Sequence, residues 1–183
     1  MTTSKQLEFD SPHYQRDLPP LPKLVVGEKA GTYRIDRSVT CEELLHLAKQ
    51  ALKAKLRKGT KISHPRDASA YLQAHLMDLE YEVFGLVCLD TQHRVISNVV
   101  LFRGTIDSAS VHPREVVKHV FDHNASAVIL YHNHPSGNLQ PSDGDIRITR
   151  RLKEALDLIE VRVLDHCIVS YEGFTSLSEI GQM

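Results

Sequence analysis

Nowhere does the chain run to the roughly 18 uninterrupted apolar residues that a membrane helix needs, so no membrane partner is expected. The first ten residues, Met1 to Asp10, have no apolar core and carry Glu8 and Asp10, which argues against a secretory leader. Cysteine is scarce. Cys41, Cys88 and Cys167 are odd in number and far apart, and no C-x-x-C pair offers a structural zinc site. That usage suits a reducing compartment, and a cytoplasmic location is expected. Charge of one sign is missing too: 22 basic against 23 acidic residues leave a net charge of −1. No global field therefore draws the protein to nucleic acid. Three catalytic signatures are also absent: the zincin His-Glu-x-x-His, the phosphate-binding P-loop, and the deaminase His-x-Glu with Pro-Cys-x-x-Cys.

What is present is the composition of a globular chain, 183 residues with 42% hydrophobic and 25% charged. This length suits one ordinary domain plus an extension. Residues 1–38 read as a poorly ordered extension, because Pro19, Pro20 and Pro22 interrupt any helix and charges recur without a period. Residues 39–62 read as a helix and a basic linker. Thr40-Cys41-Glu42-Glu43 fits a capping box, and Leu44, Leu45, Ala48, Ala51, Leu52 and Leu56 follow at helical spacing until Gly59. Lys49, Lys53, Lys55, Arg57, Lys58, Lys61 and Arg66 run from this helix past the linker with no acidic residue between them. Such a run is first a solvated face; its sharper reading is a weak contact with a nucleic-acid backbone.

Residues 63–183 form the third region. Pro65 opens a second helix carrying Ala68, Tyr71, Leu72 and Leu76. The period then changes: Val83 to Leu89 is a nearly continuous apolar run, as in a strand buried on both faces. Asp90-Thr91-Gln92-His93 makes a turn into a second strand, Val95 to Phe102. A helix from Pro113 to about Asn124, a strand Ala127–Tyr131, a helix from Ser142 to about Ile159, a strand from Val161 to Ser170 and a short strand from Phe174 to Leu177 follow. The order predicts an α/β (α+β) fold, a mixed sheet flanked by helices.

The most specific stretch is residues 132–145, His-Asn-His-Pro-Ser-Gly-Asn-Leu-Gln-Pro-Ser-Asp-Gly-Asp. Side chains two apart on an extended segment point the same way, so His132 and His134 can reach one ion. Asp145 falls in the first turn of the next helix, where the dipole favours a carboxylate. Two imidazoles and a carboxylate are a catalytic zinc set, with a fourth position left for water. Ser142-x-x-Asp145 is also a plain helix cap, and the two readings are compatible.

This wording resembles the JAMM (MPN-type) metalloprotease signature, and His-Asn-His-Pro-Ser-Gly with Pro-Ser-x-x-Asp resembles its RadC-like branch. The resemblance runs over about residues 64–183. It takes in Glu82-Val83-Phe84-Gly85, Arg103-Gly104-Thr105-Ile106, Val111-His112-Pro113-Arg114-Glu115 and Asp165-His166-Cys167-Ile168-Val169. It implies a JAB/MPN, cytidine-deaminase-like architecture. The N-terminal third departs from full-length RadC proteins, which carry a helix-hairpin-helix module there. No Gly-rich hairpin of that kind is visible, and the chain looks like a short form associated with mobile elements.

The resemblance implies that His132, His134 and Asp145 hold one Zn2+ ion and that an upstream Glu acts as general base. Zinc would lower the pKa of its water to about 7. Glu82, directly before a strand, is the expected base, with Glu80 as the alternative. Ser142 would stabilise the developing oxyanion. The implied activity is a zinc metalloprotease acting on a peptide or isopeptide bond of an unidentified protein or peptide. A DNA-associated role, with a nuclease or repair function, and a non-catalytic scaffold are the competing classes; the protein could also be an oligomer. His119 and His123, four apart on a helix beside Asp122, have a spacing that can bind metal but read more simply as a solvated face. Asp165-His166 reads as a support for ligands or as structure. Cys88 and Cys167 read as core.

Overall fold

The computed structural model describes residues 24–29, 32–53, 57–104 and 111–183. Two short strands, β1 (Leu24–Val26) and β2 (Tyr33–Ile35), form an antiparallel hairpin. This hairpin lies inside the stretch expected to be irregular, and strands of three residues are too short to show a period. Helix α1 (Cys41–Lys53) has the anticipated cap: Glu43 N donates to Thr40 Oγ1 at 3.1 Å, and Thr40 N donates to Glu43 Oε2 at 2.9 Å. Leu56, placed on this helix by its spacing, lies outside the described residues, as does Lys55. Helix α2 (Pro65–Leu76) starts at a capping box of His64 and Asp67.

The main sheet has five strands in the order β4-β3-β5-β6-β7: β3 (Val83–Leu89), β4 (Val95–Arg103), β5 (Ala127–Asn133), β6 (Arg162–Ser170) and β7 (Gly173–Ser176). Only β5 and β6 are parallel; the other neighbours are antiparallel. Parallel neighbours need a crossover, and α4 (Asp143–Asp157) supplies it. Helix α3 (Pro113–Asp122) joins β4 to β5. The mixed sheet between helices is the architecture the element order predicts.

The pleat sorts the core into two layers. Odd-numbered Val83, Val87, Leu89, Ile129 and Tyr131 pack with Leu72 and Leu76 of α2. Even-numbered Phe84, Leu86, Cys88, Val128 and Leu130 pack with Val116 and Val120 of α3 and Leu152 and Leu156 of α4. Successive strand residues face opposite ways, which is why β3 and β5 read as continuous apolar runs. The same alternation decides the site. Residue 132 continues the series 128, 130, and residue 82 continues the series 86, 84. Both belong to the α3–α4 face.

Candidate metal centre

The site stands where β5 ends and α4 begins, at the carboxyl end of the one parallel strand pair. This is where open α/β sheets leave a crevice beside helix N-termini. His132 is the sixth residue of β5 and is 2% exposed. Strand pairing persists one residue beyond β5, since His134 N donates to Val169 O at 2.9 Å. His132 and His134 therefore keep the two-residue repeat, and their Nε2 atoms approach to 2.8 Å. The loop after them is braced by itself. His134 Nδ1 lies 2.6 Å from the carbonyl oxygen of Asn138, and Gln140 N donates to Asn138 Oδ1 at 2.9 Å. Gly137 turns the chain at φ 85°, where a Cβ would also strike the Tyr171 ring.

Asp145 is the third residue of α4 and closes its capping box. Ser142 N donates to Asp145 Oδ2 at 2.8 Å, and Asp145 N donates to Ser142 Oγ at 3.1 Å. The carboxylate then faces the histidines, with Oδ1 3.1 Å from His132 Nε2 and Oδ2 3.5 Å from His134 Nε2. The Ser142 hydroxyl donates to Asp145 Oδ2 at 2.6 Å. Its single proton is thus spent on the carboxylate, and the cap orients the Asp145 side chain. Stabilising an oxyanion would require that proton to turn away from Asp145.

Glu82 joins the group: one ligand atom each from Glu82, His132, His134 and Asp145 lie within 4.8 Å of one another. Glu80, the alternative, is exposed and outside this cluster. The reason is local. Glu82 directly precedes β3 and follows its pleat, whereas Glu80 lies in the bend before it. Gly104 N donates to Glu82 O at 2.8 Å. Asn133, between the two histidines, donates from Nδ2 to Tyr81 O at 3.0 Å and accepts at Oδ1 from Val83 N at 2.7 Å. Its buried amide clamps the backbone on both sides of Glu82. Asn133 was not singled out in the sequence; its direction, opposite to the histidines, follows from strand alternation, but its partners fifty residues away do not.

The hydrogen bonds of these residues fit them to a metal ion. A carbonyl oxygen can only accept, so His134 Nδ1 carries a proton and a neutral His134 presents a lone pair at Nε2. Lone pairs or carboxylate oxygens from four side chains meeting this closely repel unless a cation lies among them. Imidazole nitrogen and carboxylate oxygen are suitable ligands for a borderline divalent ion. Burial pushes the Glu82 carboxyl up, partly offset by His132 and His134. Burial also pushes Asp145 up, but the close contacts with the His132 and His134 rings prevail and hold it well below the usual carboxylate range. The neighbouring Asp145 carboxylate raises His134 against its burial.

Other candidates separate from this centre. Burial pushes the Cys88 thiol up to about 11, and Cys167 is raised well above its usual value for the same reason, as expected of core thiols. In the basic run Lys49 pairs with Asp78 at 2.8 Å, while Arg57, Lys58, Lys61 and Arg66 are exposed. No described helix is long and apolar enough to cross a membrane.

Residues 62–182 match the family model of the RadC-like JAB domain. A "UPF0758 protein VCM66_0205" from Vibrio cholerae serotype O1 (strain M66-2) is 48% identical over 143 residues, covering 78% of this chain and 64% of that protein. A "UPF0758 protein" from Ectopseudomonas mendocina (strain ymp) is 49% identical over 142 residues, 78% of this chain and 63% of the relative. A third, "UPF0758 protein Tgr7_0100" from Thioalkalivibrio sulfidiphilus (strain HL-EbGR7), is 48% identical over 140 residues, 76% of this chain and 62% of the relative. The chain thus spans under two-thirds of the length of these relatives. With its mixed sheet and its clustered His132, His134, Asp145 and Glu82, the chain belongs to the RadC-like JAB domain family.

Proposed function

We propose that the protein is a zinc-dependent hydrolase that cleaves an amide bond, in a peptide or an isopeptide linkage. The observation that carries this reading is the convergence of His132, His134, Asp145 and Glu82 within 4.8 Å. His132, His134 and Asp145 would hold the ion. Zinc bound there would supply Lewis-acid polarisation of the substrate carbonyl and activation of water. Glu82 is the general base: it is half-buried, its carboxyl is raised by burial, and a raised pKa brings a base nearer to working pH. Its backbone is held by Asn133 and Gly104, so the carboxylate is aimed from a fixed anchor. Ser142 keeps Asp145 aimed, and can assist an oxyanion only by re-aiming its proton.

The test measures bound zinc in the wild-type protein and then compares wild type with Glu82→Gln on a panel of peptide and isopeptide substrates. One zinc per chain is expected in both, with hydrolysis lost in the variant by about 10²–10⁴-fold. Wild type without zinc sinks the metal reading, and a variant as active as wild type rejects Glu82 as base. A nucleic-acid role rests on exposed Arg57, Lys58, Lys61 and Arg66. Binding to duplex DNA that weakens steeply with salt supports it; no binding at low salt removes it.

A further inference from the structure

We propose that His166 and Thr149 are positioning residues that hold His132 in the tautomer whose lone pair, on Nε2, faces the metal site. The proposal rests on the metal reading above and adds residues outside the ligand set. A chain of contacts runs from α4 through β6 to β5. Thr149 Oγ1 lies 2.5 Å from the carbonyl oxygen of Asp145 and 2.6 Å from His166 Nδ1. His166 Nε2 lies 2.8 Å from His132 Nδ1.

Proton accounting leaves one arrangement. The Asp145 carbonyl can only accept, so Thr149 gives it its single hydroxyl proton. Thr149 therefore accepts from His166, whose proton must sit on Nδ1. His166 Nε2 is then a lone pair and accepts from His132 Nδ1. That places the lone pair of neutral His132 on Nε2, facing His134 and Asp145. The same tautomer arises at His134 by a different route, through the Asn138 carbonyl. Each ligand histidine thus has its outer nitrogen committed, which orients the ring and raises its basicity.

The surroundings keep the chain from rearranging. Thr149 and His166 are 0% exposed, so water offers no competing partner. Phe84 lies against both rings, 6.4 Å from His132 and 5.5 Å from His166. The β6 backbone at His166 is pinned in turn: Asp165 Oδ1 accepts from His166 N at 2.7 Å, and Asp165 Oδ2 accepts from Ser176 Oγ at 2.7 Å. Asp165 itself is a structural brace. Thr149 bonds the backbone of Asp145, so the ligand from α4 and the ligand from β5 are coupled before any ion arrives.

Two measurements test the relay. Zinc affinity is determined by chelator competition in wild type, Thr149→Val and Thr149→Ser, with far-UV circular dichroism as the folding control. Separately, long-range 1H–15N NMR of the metal-free wild type reads which nitrogen of His166 carries its proton. Valine keeps the shape without the hydroxyl and should weaken zinc binding by about 10–100-fold, while serine should stay near wild type. The His166 proton should be on Nδ1. A folded valine variant that binds zinc as tightly as wild type, or a proton found on His166 Nε2, overturns the proposal. Wild type that binds no zinc contradicts the metal reading instead, and the His166 tautomer then decides the relay. The same NMR result decides it if the valine variant does not fold.

Discussion

The chain carries two close pairs of histidines, each near an aspartate, and only one becomes a candidate metal centre. His119 on α3 and His123 at its C-cap stand four apart, with their rings tilted by 31° and centroids 4.1 Å apart. His123 Nδ1 donates to the backbone carbonyl of His119 at 3.0 Å, and His119 Nε2 sits 3.5 Å from Ser97 Oγ. Their nitrogens are turned to their own helix and to β4. Burial, then His123, push His119 down to about 4, partly opposed by Asp122, so the ring is held neutral. His132 and His134 instead point Nε2 to Nε2 at 2.8 Å and meet carboxylates from two other segments. Among the described residues, the group centred on them is the sole cluster that could hold an ion. The lesson concerns convergence. Spacing brings rings side by side, but a metal site needs a third element to deliver a carboxylate and outer partners to turn each lone pair inward.

The largest effect should separate the two pairs. His134→Ala is expected to lower zinc affinity by more than about 10²-fold, above the range for losing an outer partner, whereas His119→Ala and His123→Ala should leave zinc content unchanged. Metal analysis after equilibration with a chelator reads both. Next comes the clamp on Glu82, the proposed base. Asn133→Leu leaves Val83 N unpaired in the interior and should cost on the order of 1–3 kcal/mol in denaturant unfolding, more than the same change at an exposed asparagine. Ser142→Ala should cost about 1 kcal/mol through its cap, measured in the same way. At neutral pH the smallest effect belongs to the other pair, because it appears only in acid. His119 is depressed from 6.5 to about 4 in the fold, so its stabilising contribution is complete above pH 6.5 and is lost as pH falls towards 4. His119→Gln should flatten that part of a plot of melting temperature against pH; an unchanged slope would show that His119 is not the group responsible.

Much of the fold was legible because its elements carry their own signals. The capping boxes at Thr40 and Ser142, the prolines opening α2 and α3, and the unbroken apolar strands β3 and β5 are all local. The three proposed ligands were legible for the same reason: His132, His134 and Asp145 lie in one strand–turn–helix unit. Sequence alone favoured Glu82 by its place before a strand and kept Glu80 as the alternative; the register of β3 against β5, which pairs Phe84 with His132, brings Glu82 to the cluster. Asn133, the Asn138 carbonyl and Thr149 stayed hidden. Each acts through a hydrogen bond to a partner that only folding brings close, and an asparagine or a helical threonine bears no mark of that partner. The β1–β2 hairpin escaped notice because its strands are too short for a pattern.

The central claim is that two imidazoles and carboxylate oxygen, with no thiolate, hold the metal. Zinc K-edge X-ray absorption of the protein loaded with one equivalent tests it most directly. The account predicts scattering from two imidazole rings with nitrogen and oxygen ligands alone. A sulfur ligand, a single imidazole, or zinc that fails to stay bound would contradict it.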